Sequence, residues 1–167
     1  MDDRVVFRSA RALEDAGFAT LRFNFRGVGA STGRHDGGRG EVDDARAALD
    51  FLLDVHPGAA QVLVVGYSFG AAMAVGLAAR DPRPNALALL ATPLRLAALD
   101  PLAAYPGRVL VVHGTADSVA PLAPLQAALD VLGRDVERCW LDGADHFFAE
   151  ELDALGQAVR DFALRPA

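Results

Sequence analysis

QVLVVGYSFG, residues 61–70, decides how this chain of 167 residues is read. A short apolar run ends in Gly66-Tyr67-Ser68-Phe69-Gly70, and an Ala-rich helical pattern follows at once. This is G-x-S-x-G between a strand and a helix, the setting that holds a serine exposed on a sharp, strained turn. Strand and helix nearly collide at such a turn, so the residues two positions either side of the serine are expected to lack bulk. With four serines and 16 glycines in the chain, chance would give the pattern roughly 0.04 times. A tight glycine turn closing a βα unit is the bland alternative. The strand–turn–helix context weighs against it.

On the N-terminal side of this stretch, residues 4–16 carry apolar side chains at helical spacing, with Gly17 as the expected stop. Residues 19–25 have strand composition, 26–40 form a glycine-rich loop, and 41–55 read as an amphipathic helix ended by His56-Pro57-Gly58. A strand over 62–65 leads into the turn, and a helix over 71–80 leaves it. Beyond it, strands over 86–91, 108–113 and 136–141 alternate with a proline-punctuated segment (92–106), a helix over 121–132 and a closing helix over 149–164. Such alternation predicts an α/β fold: a mostly parallel sheet of about five strands flanked by helices, in one domain spanning residues 1–167.

Composition narrows the chemistry. Hydrophobic residues make up 52% of the chain and the net charge is −6, which argues against a general nucleic-acid or anionic-membrane role. The sequence has no lysine, which excludes a Schiff-base lysine, a lysine general base and a Gly-Lys-Ser/Thr phosphate loop. The one cysteine, Cys139, has no internal disulfide partner and reads as a small core residue. The N-terminus lacks an apolar signal core, and no apolar run reaches 18 residues. The expected location is the cytoplasm.

In open α/β sheets the functional groups gather beyond the carboxyl ends of the strands. Three polar residues stand there: Ser68, Asp117 after the 108–113 strand, and His146 after the 136–141 strand. A serine hydroxyl becomes nucleophilic when an imidazole takes its proton, and a carboxylate fixes the tautomer of that imidazole. Each has a plainer reading: Asp117 as a helix cap or turn former, His146 as a solvated loop residue. Asp142 is the fallback partner for His146. His113 reads as structural, His35 and His56 as loop residues. Arg26 could meet a substrate carboxylate, but is expected to anchor its own loop through backbone carbonyls.

The segments NFRGVGASTG (24–33), GYSFG (66–70), HGTAD (113–117) and GADHFF (143–148) together resemble the α/β-hydrolase superfamily. More narrowly, they are similar to small, lidless bacterial hydrolases of the dienelactone-hydrolase-like kind. The resemblance covers nearly the whole chain, with Ser, Asp and His in the family's order. It implies Ser68 as nucleophile, His146 as base, Asp117 as the acid that orients it, and the Phe69 N–H as an oxyanion donor at a helix N-terminus. The implied function is hydrolysis of a small carboxylic ester or related acyl substrate through an acyl-enzyme, with no metal or organic cofactor. The short 92–106 segment leaves no room for a lid, favouring short, soluble substrates.

Such hydrolases carry further strands ahead of the helix that begins here near Arg4, and a loop that supplies a second oxyanion N–H. The expectation is therefore that this chain is N-terminally truncated relative to the family, with one strand missing between 19–25 and 61–65. An exposed sheet edge there would invite homo-oligomers. Two other functions compete: a non-catalytic hydrolase-fold fragment, and dinucleotide binding through Gly27-Val28-Gly29-Ala30-Ser31-Thr32-Gly33. Against the latter, a polar glycine-rich stretch separates Gly33 from the next helix.

Overall fold

A computed structural model describes residues 3–166. Its elements in chain order are α1 (Arg4–Asp15), α2 (Arg39–Val55), β1 (Leu63–Tyr67), α3 (Phe69–Ala78), β2 (Ala86–Leu90), α4 (Pro101–Ala104), β3 (Arg108–Gly114), α5 (Leu122–Asp130), β4 (Glu137–Leu141) and α6 (Leu152–Leu164). The four strands form one parallel sheet in the order β1-β2-β3-β4. The parallel sheet with helices on both faces is as the sequence pattern predicts.

Strand alternation builds two cores. Ala86, Ala88 and Leu90 of β2 turn to the face where Val5 and Leu13 of α1 and Leu155, Val159 and Phe162 of α6 pack. Leu87 and Leu89 turn the other way, against Ala74 and Val75 of α3 and Leu125 and Leu129 of α5. All five β2 residues are buried, the signature of a strand covered on both faces. A third cluster joins Val42, Ala45 and Leu49 of α2 to Ala72, Met73 and Leu77 of α3. Helix α1 starts where Asp3 Oδ1 accepts the Val5 and Val6 N–H groups, at 2.9 and 3.0 Å. It stops before Gly17, whose φ of 90° suits glycine.

One expectation needs correction. Residues 19–25 belong to no strand, and the sheet has four strands where about five were expected. The cause is the lack of a hydrogen-bonding neighbour. A cleft of about 860 Å³ lies between this segment and β1, lined on one side by Phe18, Leu21 and Phe23 and on the other by Leu63, Val65 and Tyr67. Val6, Ala10 and Leu13 of α1 and Ala45, Leu53 and Met73 of α2 and α3 also line it. Among the described residues, β1 pairs with β2 alone. Val62 accepts from Asn85 and Ala86, and the Ser68 N–H donates to Leu90, so even-numbered residues of this stretch turn their backbone groups to β2. By the two-residue repeat, Leu63, Val65 and Tyr67 turn theirs to the cleft.

Candidate active site

The end of β1 forces the chain into α3 within one residue. Ser68 sits at φ 50°, ψ −113°, a conformation that ordinary side chains rarely adopt. Gly66 is required there: a Cβ would fall on the Gly70 carbonyl and 2.7 Å from the Ala71 Cα. Gly70 is different, since a Cβ on it would meet nothing within 4 Å. The close approach expected on both sides of the serine exists on one side only. Ser68 O accepts from Ala71 and Ala72, while no acceptor for the Phe69 N–H is found among the described residues. That N–H lies in the first turn of α3, where such donors are left free and the dipole favours negative charge.

The loops after β3 and β4 are laced together. Thr115 N donates to Leu141 O and Ala116 N to Ala144 O, both at 3.0 Å. Thr115 Oγ1 donates to Asp142 Oδ1 at 3.1 Å and accepts from the Gly143 N–H at 2.8 Å. Gly114 leaves room for this contact, because a Cβ would strike the Ala144 carbonyl. The lacing brings Asp117 and His146 together: Nδ1 of His146 is 2.7 Å from Asp117 Oδ2, and its Nε2 is 3.0 Å from Ser68 Oγ. Both residues are 5% exposed. Asp117 Oδ1 accepts from Val119 and Ala120 N–H, each at 2.8 Å. So Asp117 forms a turn, as its plainer reading had it, and meets His146 with its other oxygen. Tyr67 OH donates to the His146 carbonyl at 3.2 Å, and burial pushes its phenol up to about 12, so it stays a donor.

A sequence model of the family described as alpha/beta hydrolase fold matches residues 3–110. The chain belongs to that family. An uncharacterised protein of Rickettsia prowazekii is 34% identical over 172 residues, covering 98% of this chain and 72% of the relative. A protein of unknown function from Agrobacterium tumefaciens, described as an α/β hydrolase, superposes with a TM-score of 0.90 at 34% identity, covering 97% of this chain and 76% of that one. A Xanthomonas campestris protein described as an α/β serine hydrolase without lid gives a TM-score of 0.87 at 30% identity, covering all of this chain and 77% of that one.

In this α/β-hydrolase, Asp142 is spoken for by Thr115 and not by His146. Arg26 does anchor its loop, but through Asp44 and not through backbone carbonyls: its Nε and Nη2 meet the carboxylate at 3.0 and 2.7 Å. The guanidinium hydrogen bond holds the Asp44 carboxyl below its usual range. The dinucleotide reading finds no support in the loop's shape. Gly27 N is bonded to Thr32 O and Ser31 N to Val28 O, and α2 opens only at Arg39. Cys139 lies half-buried on β4, where burial pushes its thiol up. His56 is a helix end cap, consistent with a loop role.

Two features lay beyond the sequence reading. Glu41 is fully enclosed and accepts from Asp36 N and Gly38 N at 2.8 Å, with His35 Nδ1 2.7 Å away. The His35 ring then stands edge-on to Phe69, with centroids 5.5 Å apart, and Phe25 flanks Phe69 at 5.4 Å. The glycine-rich loop is thus fastened beside the free Phe69 N–H. A glutamate three residues after Gly38 is the spacing that could have signalled this.

Proposed function

We propose that this chain is a serine hydrolase that cleaves a small carboxylic ester or related acyl compound through an acyl-enzyme. The observation that carries the reading is His146, standing 3.0 Å from Ser68 Oγ and 2.7 Å from Asp117 Oδ2. In the first half-reaction Nε2 takes the Ser68 proton as Oγ attacks the acyl carbon. The carbonyl oxygen becomes an oxyanion, and the Phe69 N–H donates to it. Asp117 holds the imidazolium through Nδ1–H, and Nε2–H then protonates the departing alkoxide. Water repeats the sequence: its proton goes to Nε2, its oxygen to the acyl carbon, and Ser68 Oγ leaves with that proton restored.

Short substrates suit the site because only α4 and turns stand between β2 and β3. The likeness to a relative described as lacking a lid supports the same choice. Phe147, 62% exposed and edge-on to the His146 ring at 5.5 Å, offers apolar surface for a small alkyl or aryl group.

A second reading, a hydrolase-fold unit that does not turn over, draws on the open cleft beside β1 and the single free N–H assigned to the oxyanion. A fluorophosphonate probe separates the two. Labelling of the wild type that disappears in Ser68→Ala is the expected result. A wild type that stays unlabelled overturns the hydrolase reading and leaves the second.

A further inference from the structure

His113 is the one fully buried histidine, and the triad does not use it. It stands one residue from the end of β3, opposite Trp140 of β4. Its Nε2 is 2.6 Å from the Ala120 carbonyl, which can only accept, so Nε2 carries the hydrogen. Its Nδ1 is buried with no partner among the described residues. Protonating Nδ1 would bury an N–H with no acceptor, so the ring is neutral with its hydrogen on Nε2. Burial also pushes the ring below the ordinary histidine range.

That hydrogen bond closes a circuit. The N–H of Ala120 donates to Asp117 Oδ1 while its C=O accepts from His113, and the Val119 N–H also donates to Oδ1. Oδ1 is occupied by two backbone donors, and Oδ2 is left facing His146 Nδ1. His113 Nε2 is 3.4 Å from that same Oδ2, too long for more than a weak second contact. Its neutrality keeps it from competing with His146 for the carboxylate charge.

We propose that His113 is a positioning residue: from the buried end of β3 it holds the turn from Asp117 to Ala120, so that one carboxylate oxygen of Asp117 is aimed at His146. The proposal rests on the hydrolase reading above. A histidine that only filled space would do as well if replaced by an apolar side chain of similar size. A positioning donor can be replaced only by another donor.

The test compares His113→Leu, which keeps bulk without a donor, with His113→Gln, whose amide N–H reaches the Ala120 carbonyl. Hydrolysis of p-nitrophenyl acetate is followed from pH 5 to 9, with fluorophosphonate labelling rates and thermal melts alongside. His113→Leu is expected to lower kcat/KM by roughly 10- to 100-fold, well short of the ~10⁴ that follows damage to the orienting carboxylate itself. His113→Gln is expected to stay within about threefold of wild type. A His113→Leu that only melts earlier, or a His113→Gln as impaired as His113→Leu, overturns the proposal.

A second readout is independent of turnover: the downfield proton NMR signal of the His146 Nδ1–H, assigned by its absence in Asp117→Asn. It should persist in His113→Gln and shift or broaden in His113→Leu. A wild type silent towards ester and probe sinks the hydrolase reading alone, and this proton then decides for or against His113.

Discussion

The Ser68 N–H donates to the Leu90 carbonyl at 2.8 Å, so the serine's backbone is tied to the end of β2 while its own helix turns away. This bond holds a φ of 50° that serine would not choose. Strain of this kind is worth about 1–3 kcal/mol. Ser68→Gly is therefore expected to be more stable than Ser68→Ala by about 1 kcal/mol after glycine's own entropic cost. Urea denaturation of the two variants checks this. Equal midpoints would mean the turn stores no strain.

The asymmetry of the flanking glycines gives a second comparison. Gly66→Ala places a methyl group on the Gly70 backbone, which cannot swing aside, and should cost at least about 3 kcal/mol. Gly70→Ala enters open space and should change stability by less than about 1 kcal/mol. Equal losses for the two would contradict the geometry of the turn.

Asp117 and Asp142 both lie near His146 in sequence or space, yet their partners differ. Asp117→Asn should lower kcat by roughly 10⁴, as loss of the orienting carboxylate does elsewhere. Asp142→Asn, which alters a contact to Thr115, should stay within about tenfold of wild type. Steady-state rates on one short ester suffice, and a reversed ranking would move the acid to Asp142.

Acid should destabilise the fold in two stages. The folded His113 resists protonation because it is buried, and the unfolded chain takes that proton near the ordinary value of 6.5. Its contribution is thus complete above that pH and declines as pH falls through it. Asp44 and Asp81 are held low by hydrogen bonds from Arg26 and Arg83. Glu41 is pushed up by burial, but the backbone N–H groups it accepts outweigh that and leave it low. These carboxylates contribute above their ordinary values of 3.8 and 4.5, and that contribution is lost as pH drops further. Melting temperatures from pH 4 to 8 should fall below pH 6.5 in wild type. In His113→Gln they should stay level until the carboxylates titrate.

Much of this arrangement is legible in the residues. The run QVLVVG before Tyr67-Ser68 is apolar on both faces, and the alternation of β2 and β3 with helices settles a parallel sheet. That Asp117 and His146 would meet Ser68 is legible because all three stand beyond strand ends, where such a sheet gathers its polar groups. What the pattern could not supply is partnership. Residues 19–25 have the composition of a strand, but a strand exists only through a neighbour's hydrogen bonds, and none lies within reach. Arg26 is legible as a loop anchor, while its partner Asp44, 18 residues on, depends on how α2 lies. Likewise nothing in the sequence says that His113 and Asp117 share the Ala120 peptide.

The open flank of β1 should be visible as a comb in amide hydrogen exchange. Val64, Gly66 and Ser68 turn their N–H groups to β2 and should exchange slowly. Leu63, Val65 and Tyr67, one residue out of step, have only cleft in front of them and should exchange faster. The strand that leads into Ser68 would then be clamped along one margin and free along the other. The rest position of Ser68 Oγ is in that case set mainly by β2 and the turn, with the cleft side supplying no restoring force.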